Sequence, residues 1–217
     1  MHRNGHFGLN LYLTAPIVFV TGLFGVLEIG LVFVITSAIF PSLPDIDLSL
    51  SKYSSIKHRG ITHTVWFGLV FGFIYMLVLG SILFYITNPF KVVSFGIFEN
   101  SQFSVGLLLL SLFFAGFCAV IFHLIGDVFT PTGVNFFSRD NSYGFSINQF
   151  YASNEVANRS AIVIGILSLV LAVSVSVNEF IPVYMFPVVY ISGLLVWLVF
   201  VRTFIGKYTM KLFDFFT

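Results

Sequence analysis

Charged residues are scarce in this sequence, and their scarcity excludes most classes of soluble protein. Only 9% of the 217 residues are charged, whereas 58% are hydrophobic and 18% are aromatic, and the mean hydropathy is +1.00. Soluble domains carry about 25% charged residues. The composition therefore predicts an integral membrane protein. The net charge of +1 leaves no basic excess to neutralise phosphates, so we expect no binding to nucleic acid.

Cysteine is almost absent as well. The one cysteine, Cys118, lies in an apolar run, so it has no internal disulfide partner and is expected to be a small buried hydrophobic residue. No small-residue cleavage site follows the apolar stretch after Arg3, and residue 1 is expected to belong to the mature protein. Repeats, low-complexity segments and linkers are also missing. We therefore predict a single membrane-embedded domain over residues 1–217.

The apolar segments predict an all-α, polytopic fold with about six transmembrane helices. As a single helix, residues 7–43 would be roughly 55 Å long, far more than the ~30 Å hydrocarbon core. This tract must therefore fold back, and Gly22, Gly25 and Glu28 mark the turn. Asn88-Pro89 ends the third span. The predicted spans lie near residues 8–24, 27–42, 62–87, 104–125, 160–177 and 182–205.

The distribution of basic residues predicts the orientation of these spans. Six crossings place both termini, the loop 44–61 and the loop 126–159 on one side of the membrane. Nine of the ten Lys and Arg residues lie on that side, and only Lys91 lies opposite. By the positive-inside rule that side is cytoplasmic. We expect both termini and the site described next to face the cytoplasm.

Histidine and aspartate residues cluster at span ends on this side. Asp45 and Asp47 are two positions apart, so their carboxylates point the same way in an extended segment. His58 and His63 follow in the same loop. Carboxylate and imidazole ligands together suit zinc, iron or manganese better than calcium. The loop therefore predicts a divalent-metal site, with zinc as the leading candidate and manganese or iron as alternatives.

A second pair of candidate ligands lies at the C-terminal end of the fourth span. His123 and Asp127 are four positions apart, which places both side chains on one face of a helix. His6, at the start of the first span, is a further candidate ligand on the same side. Ionisable groups at a membrane face are costly, so their clustering indicates function. The predicted metal ligands are His6, Asp45, Asp47, His58, His63, His123 and Asp127.

Catalysis by such a site would use water activated by the metal ion. We predict Asp47 and Arg59 as the catalytic side chains. Arg59, with the free amides of the helix expected to begin at an N-cap at Thr62, is suited to binding a substrate anion. The expected partners are membrane lipids and a lipid-like or membrane-proximal substrate. Neither the substrate nor the oligomeric state follows from the sequence.

The loop 126–159 is too long for an idle connection. Residues 134–137 and 143–147 flank a polar stretch at 139–142, which predicts a small β-hairpin over the site. The loop mixes polar residues with Phe136, Phe137, Phe145 and Phe150. We expect it to pack back over the site and to restrict access to lipid-like substrates.

The order of these motifs resembles a known family. Gly5-His6, Pro44-Asp-Ile-Asp47, His58-Arg-Gly-Ile-Thr-His63 and His123-x3-Asp127-x2-Thr-Pro131-x-Gly133-Val134 together resemble the LexA-regulated, inner-membrane-associated, predicted metal-dependent hydrolases. The resemblance covers about residues 1–135. It implies a polytopic membrane protein with metal-dependent hydrolase activity and supplies no substrate. Leu48 follows the aspartate pair where many members would be expected to carry a histidine.

Other functions predict different patterns. A transporter or a metal- or proton-handling protein would place ionisable residues near the bilayer midplane, whereas the candidates here lie at span ends. A scaffold stabilised by metal would unfold when the metal is lost. Zinc-dependent phospholipases C are similar in the order of their ligands alone. Site-2-type metalloproteases need His-Glu-x-x-His, which is absent from the sequence.

Overall fold

The computed structural model describes residues 1–50, 60–87, 105–137, 144–178 and 180–205. In these residues the regular structure is helical. Seven α-helices are α1 (Arg3–Leu23), α2 (Leu27–Ile39), α3 (Ile46–Leu50), α4 (Val65–Thr87), α5 (Val105–Val128), α6 (Glu155–Val177) and α7 (Met185–Phe200). A 3-10 turn, Ile61–His63, precedes α4, and a π-helical turn, Val201–Ile205, extends α7. The predicted all-α class is confirmed.

Five of the described helices, α1, α4, α5, α6 and α7, are long and apolar enough to cross a membrane. The predicted second span is the shorter helix α2, whose 13 residues extend about 20 Å. Large apolar side chains on the long helices are exposed, Phe73 and Leu167 among them. Such side chains suit contact with lipid tails, so the architecture is that of a multi-pass membrane protein.

The turn between α1 and α2 lies where the glycines predict it. Gly25 adopts a left-handed conformation with φ +69°. The N–H of Gly25 donates to the carbonyl of Gly22, and the N–H of Val26 donates to the carbonyl of Thr21. This pair of bonds is the Schellman motif, which ends a helix at a left-handed glycine. The chain therefore reverses, and α2 returns towards the end of the bundle where α1 begins.

Helix α1 is the central element, packed against α2, α5 and α6. Its approach to α6 is close because glycines face each other. A Cβ atom at Gly165 would overlap the carbonyl of Gly8, and one at Gly8 would overlap the backbone of Ala161. Small residues permit such backbone contact between membrane helices. Helix α1 is thereby held at a fixed depth, which positions His6 in its first turns.

Helices α4 and α5 pack side by side, as the metal-site prediction requires. Gly72 and Gly116 bring the two backbones together, since a Cβ atom at Gly116 would lie 3.0 Å from the Cα of Gly72. The antiparallel pair places the beginning of α4 beside the end of α5. His63 and His123 therefore meet at one end of the bundle.

The N-cap of α4 is Thr64 and not Thr62, so that prediction is wrong. The N–H of Phe67 donates to the Thr64 hydroxyl at 3.3 Å. Thr62 lies in the preceding 3-10 turn, where its hydroxyl donates to Oδ2 of Asp47 at 2.8 Å. The extra turn moves the N-cap of the helix by two residues and leaves Thr62 to contact Asp47.

The segment after α5 folds back onto the bundle, as predicted. The N–H of Ile147 donates to the carbonyl of Val128, and the N–H of Val65 donates to the carbonyl of Phe136, both at 2.8 Å. The predicted hairpin is reduced to one antiparallel bridge between Val134 and Phe145. Its expected tip, residues 139–142, lies outside the described residues.

The four phenylalanines of this segment divide into two pairs. Phe150 is buried against Phe129 and Trp197, and Phe136 packs on the core of α5. Phe137 and Phe145 are exposed. Phe136 and Phe150 therefore anchor the segment to the bundle, whereas Phe137 and Phe145 lie at the surface.

Candidate metal centre

Five of the predicted ligands converge at one end of the bundle. They come from four parts of the chain: the first turns of α1, the turn before α3, the 3-10 turn before α4, and the last turns of α5. Four are almost fully buried, and the carboxylate-bearing side chain of Asp45 is 23% exposed. These residues are His6, Asp45, His63, His123 and Asp127.

Four atoms in this cluster have the separations of ligands around one ion. Nε2 of His63 lies 3.4 Å from Oδ1 of Asp45 and 3.5 Å from Oδ2 of Asp127. Nε2 of His123 lies 3.6 Å from the same Asp45 oxygen and 3.5 Å from the same Asp127 oxygen. Tetrahedral ligands with bonds of about 2.0–2.2 Å are about 3.3–3.6 Å apart. Two sets of three residues, Asp45–His63–His123 and His6–His123–Asp127, each have ligand atoms within 4.8 Å of one another, so the cluster could hold a metal ion.

A backbone hydrogen bond sets the tautomer of His123. Nδ1 of His123 lies 3.0 Å from the carbonyl oxygen of Pro41. A carbonyl only accepts, so Nδ1 carries the proton and donates it. Nε2 is left with its lone pair, and no hydrogen-bond partner for it exists among the described residues. Metal-binding histidines commonly have this arrangement.

Asp47 and Thr62 orient His63 in a similar way. The Thr62 hydroxyl donates to Oδ2 of Asp47, and both oxygens lie near Nδ1 of His63, at 3.2 Å and 3.3 Å. Both oxygens accept from a protonated Nδ1, which again leaves the lone pair on Nε2. Asp47 is fully buried and lies on the other side of the ring from Asp45. Asp47 is therefore placed to orient the imidazole of His63 as a metal ligand.

The charge state of Asp45 suits a cation. Burial raises the pKa of the Asp45 carboxyl, but the neighbouring imidazoles of His123 and His63, in their protonated forms, outweigh burial and hold the pKa well below its usual range. Asp45 is therefore ionised at neutral pH. Metal ligands must be deprotonated, and this carboxylate already is.

The remaining members of the cluster lie on the α1 side. Nε2 of His6 is 3.4 Å from Oδ1 of Asp127, and the Met1 amine donates to the same oxygen at 3.0 Å. The rings of His6 and His123 are stacked, with centroids 3.7 Å apart and planes inclined by 16°. Gly126 makes room for this stack, since a Cβ atom there would lie 2.7 Å from Nδ1 of His6.

Not every predicted site residue can be placed. His58 and Arg59 lie outside the described residues, so their roles as ligand and anion-binding group stay predictions. Leu48, at the position of the histidine expected from the family pattern, is exposed. Sequence reasoning missed Pro41 and Gly126. The only signal for Gly126 was a small residue beside a candidate ligand, and a backbone carbonyl such as that of Pro41 gives no sequence signal.

Changing Asp47 to asparagine tests the supporting arrangement. We expect metal affinity to fall about 10–100-fold, because removing a partner of a ligating histidine typically costs that much. The protein should still fold, since the amide is nearly isosteric with the carboxylate. Competition titration with a metal-binding dye measures the change. An unchanged metal affinity would show that His63 binds metal without support from the Asp47 carboxylate.

Taken together, the fold and the site define a class: a polytopic membrane protein with a buried histidine–aspartate cluster that could hold a metal ion at one end of its bundle. The model of the YdjM inner membrane protein family matches residues 5–205, so the chain belongs to that family. It is a multi-pass protein of the inner membrane. No curated protein and no solved structure matches the chain.

Proposed function

We propose that the protein is a membrane-bound, metal-dependent hydrolase that acts on an ester or phosphoester of a lipid or another membrane-proximal substrate. The observation that carries the proposal is the set of four ligand atoms with separations of 3.4–3.6 Å. A bound divalent cation would polarise the bond to be cleaved and make water a better nucleophile. The resemblance to LexA-regulated, membrane-associated hydrolases supports the same reaction class.

The position of the cluster supports a substrate at the membrane surface. The candidate ligands lie at helix ends, and Asp45 is the most exposed of those described. A substrate would therefore approach from the side of the turn before α3. Nine of the ten basic residues belong to the loops and termini expected at this end, which under the positive-inside rule favours the cytoplasmic face. Arg59, from the same stretch of chain, is proposed to bind the substrate anion.

The buried residues around the ligands have separate tasks in this proposal. Asp47 and Thr62 hold His63 with its Nε2 lone pair towards the site, and the Pro41 carbonyl does the same for His123. The low pKa of Asp45 keeps negative charge at the opening of the site. We propose Asp47 as a positioning residue, because its carboxylate lies 3.3 Å from Nδ1 of His63, the ring nitrogen that faces away from Asp45.

A metal-stabilised scaffold is a second candidate, and one observation favours it. Nε2 of His63 and of His123 each lie 3.4–3.6 Å from both an Asp45 oxygen and an Asp127 oxygen, and a set of four protein ligands is typical of structural zinc. Removal of the ion separates the two functions. A structural ion contributes folding energy directly, so its loss should lower the unfolding temperature strongly. A catalytic ion should be removable with loss of turnover and retention of most of the fold.

Hydrolysis by purified protein tests the proposal directly. The metal-loaded protein should be reconstituted in vesicles that contain phosphatidic acid, phosphatidylglycerol and a carboxyl-ester lipid, and product release should be followed. We expect turnover of at least one lipid, abolished by a chelator and restored by Zn²⁺ or Mn²⁺. The variant His123→Ala should be inactive with any metal, because it lacks a central ligand.

Two results would contradict the hydrolase. The first is no turnover of any of these lipids together with unfolding on chelation, which would support the scaffold. The second is metal-ion flux into vesicles that the Asp127→Ala variant lacks, which would support a transporter.

A further inference from the structure

We propose that the site holds a second divalent cation, bound between Nε2 of His6 and Oδ1 of Asp127, so that the Asp127 carboxylate bridges two ions. This inference rests on the proposed metal-dependent function and adds a metal position to it. The first ion would have the four ligands already described. The second would lie on the α1 side of the cluster.

The two oxygens of Asp127 face different groups. Oδ2 lies 3.5 Å from Nε2 of both His63 and His123. Oδ1 lies 3.4 Å from Nε2 of His6 and 3.0 Å from the Met1 amine. A carboxylate that presents one oxygen to each of two groups of ligands is suited to bridging. Ions in such two-metal sites are about 3.5–4 Å apart.

The stacking of His6 on His123 argues against a single shared ion. The lone pair of an imidazole nitrogen lies in the plane of its ring, so a ligated ion lies close to that plane. The two rings are nearly parallel, and their centroids are 3.7 Å apart. One ion cannot lie in both planes. Two ions, one in each plane, would be separated by roughly the spacing of a carboxylate-bridged pair.

His6 has no other task in the described structure. Its side chain is fully buried, Nδ1 has no hydrogen-bond partner among the described residues, and Nε2 has only the 3.4 Å contact with Oδ1 of Asp127. A buried polar group without a partner costs about 1–3 kcal/mol, so a ligand for it is expected. Oδ1 of Asp127 already attracts positive charge, because the Met1 amine binds it. A metal ion would take the place of that ammonium and bind Nε2 of His6.

The second position also accounts for how a closed first site could support hydrolysis. Binding by all four of the groups assigned to the first ion would leave it without an open position in tetrahedral geometry. His6 and Asp127 supply only two ligands to the second ion, so further positions stay available to water or to an oxygen of the substrate.

Metal stoichiometry tests this inference without an activity assay. Purified protein loaded with Mn²⁺ and freed of unbound ion should hold about two equivalents, and His6→Ala should hold about one. His2→Ala is the matched control, since it removes a nearby exposed histidine and should retain about two. The electron paramagnetic resonance spectrum should change from that of a spin-coupled pair to that of an isolated ion in His6→Ala.

Gly126→Ala provides a second variant in case His6→Ala folds poorly. Its added Cβ atom would lie 2.7 Å from Nδ1 of His6 and should displace that ring while leaving every ligand in the chain. We expect the loss of one equivalent here too. One equivalent in the wild type, with no change in either variant, would overturn the second position and leave the single-ion hydrolase standing. No bound metal at all would overturn both proposals.

Discussion

Replacing Asp127 with asparagine should weaken divalent-metal binding by at least ~100-fold, which corresponds to about 2.7 kcal/mol. Asp127 is within 3.5 Å of nitrogens from His6, His63 and His123, so it is the central charge of the cluster. The amide has nearly the same shape, but it carries no charge and offers one oxygen instead of two. Hydrolysis should be lost in parallel, because the reaction depends on the ion.

The measurement for this variant is competition titration of wild-type and mutant protein with a metal-binding dye. Glu155→Gln is the matched control, because it makes the same chemical change on an exposed carboxylate paired with Arg159. Exposed ion pairs contribute little, so the control should bind metal like the wild type. Equal metal affinity in Asp127→Asn and Glu155→Gln would show that Asp127 is not a metal ligand and would contradict the proposed metal centre.

Replacing Gly165 with alanine should destabilise the protein by about 2 kcal/mol or more, because the new methyl group cannot fit. Its Cβ atom would overlap the backbone carbonyl of Gly8, so α1 and α6 would have to separate. Helix α1 carries His6, and a shift of this helix should also weaken metal binding on its side of the cluster. Thermal unfolding in detergent, with and without metal, measures both effects.

Gly193→Ala is the control for helix packing. It makes the same change in a membrane helix, but the nearest atom to the added Cβ is the Cδ1 of Ile164 at 3.7 Å, an ordinary van der Waals contact. We expect its unfolding temperature to stay close to that of the wild type. If Gly165→Ala were equally harmless, the close approach of α1 and α6 would not be a determinant of stability.

The sequence was sufficient to predict the membrane fold and the convergence of distant residues. The apolar tracts predicted the helices, and the glycines predicted the turn at Gly25. The spacing of His123 and Asp127 placed both on one face of α5. The parity of the spans then brought His6 and Asp45 to the same end of the bundle. Each of these predictions depends on the periodicity of residues or on the number of spans, and both can be obtained from a single sequence.

Details that depend on tertiary contacts were harder to predict from the sequence. The N-cap of α4 was assigned to Thr62, because Thr62 and Thr64 are the same residue type and the sequence alone does not tell which of them caps the helix. The hairpin after α5 was predicted from alternation, but among the described residues only Val134 and Phe145 pair across it, and the segment forms further hydrogen bonds with the ends of α4 and α5. Asp47 and Asp45 look alike in sequence. Only the contact of Asp47 with the far side of His63 distinguishes their positions.

X-ray absorption at the zinc edge of the zinc-loaded protein tests the metal centre most directly. The account predicts a shell of nitrogen and oxygen ligands at about 2.0–2.2 Å, with the outer-shell scattering of imidazole and no sulfur at about 2.3 Å. The imidazole signal should decrease in the double variant His63→Ala, His123→Ala. Retention of less than about a tenth of an equivalent of zinc after dialysis, or a shell of water oxygens without imidazole, would contradict it.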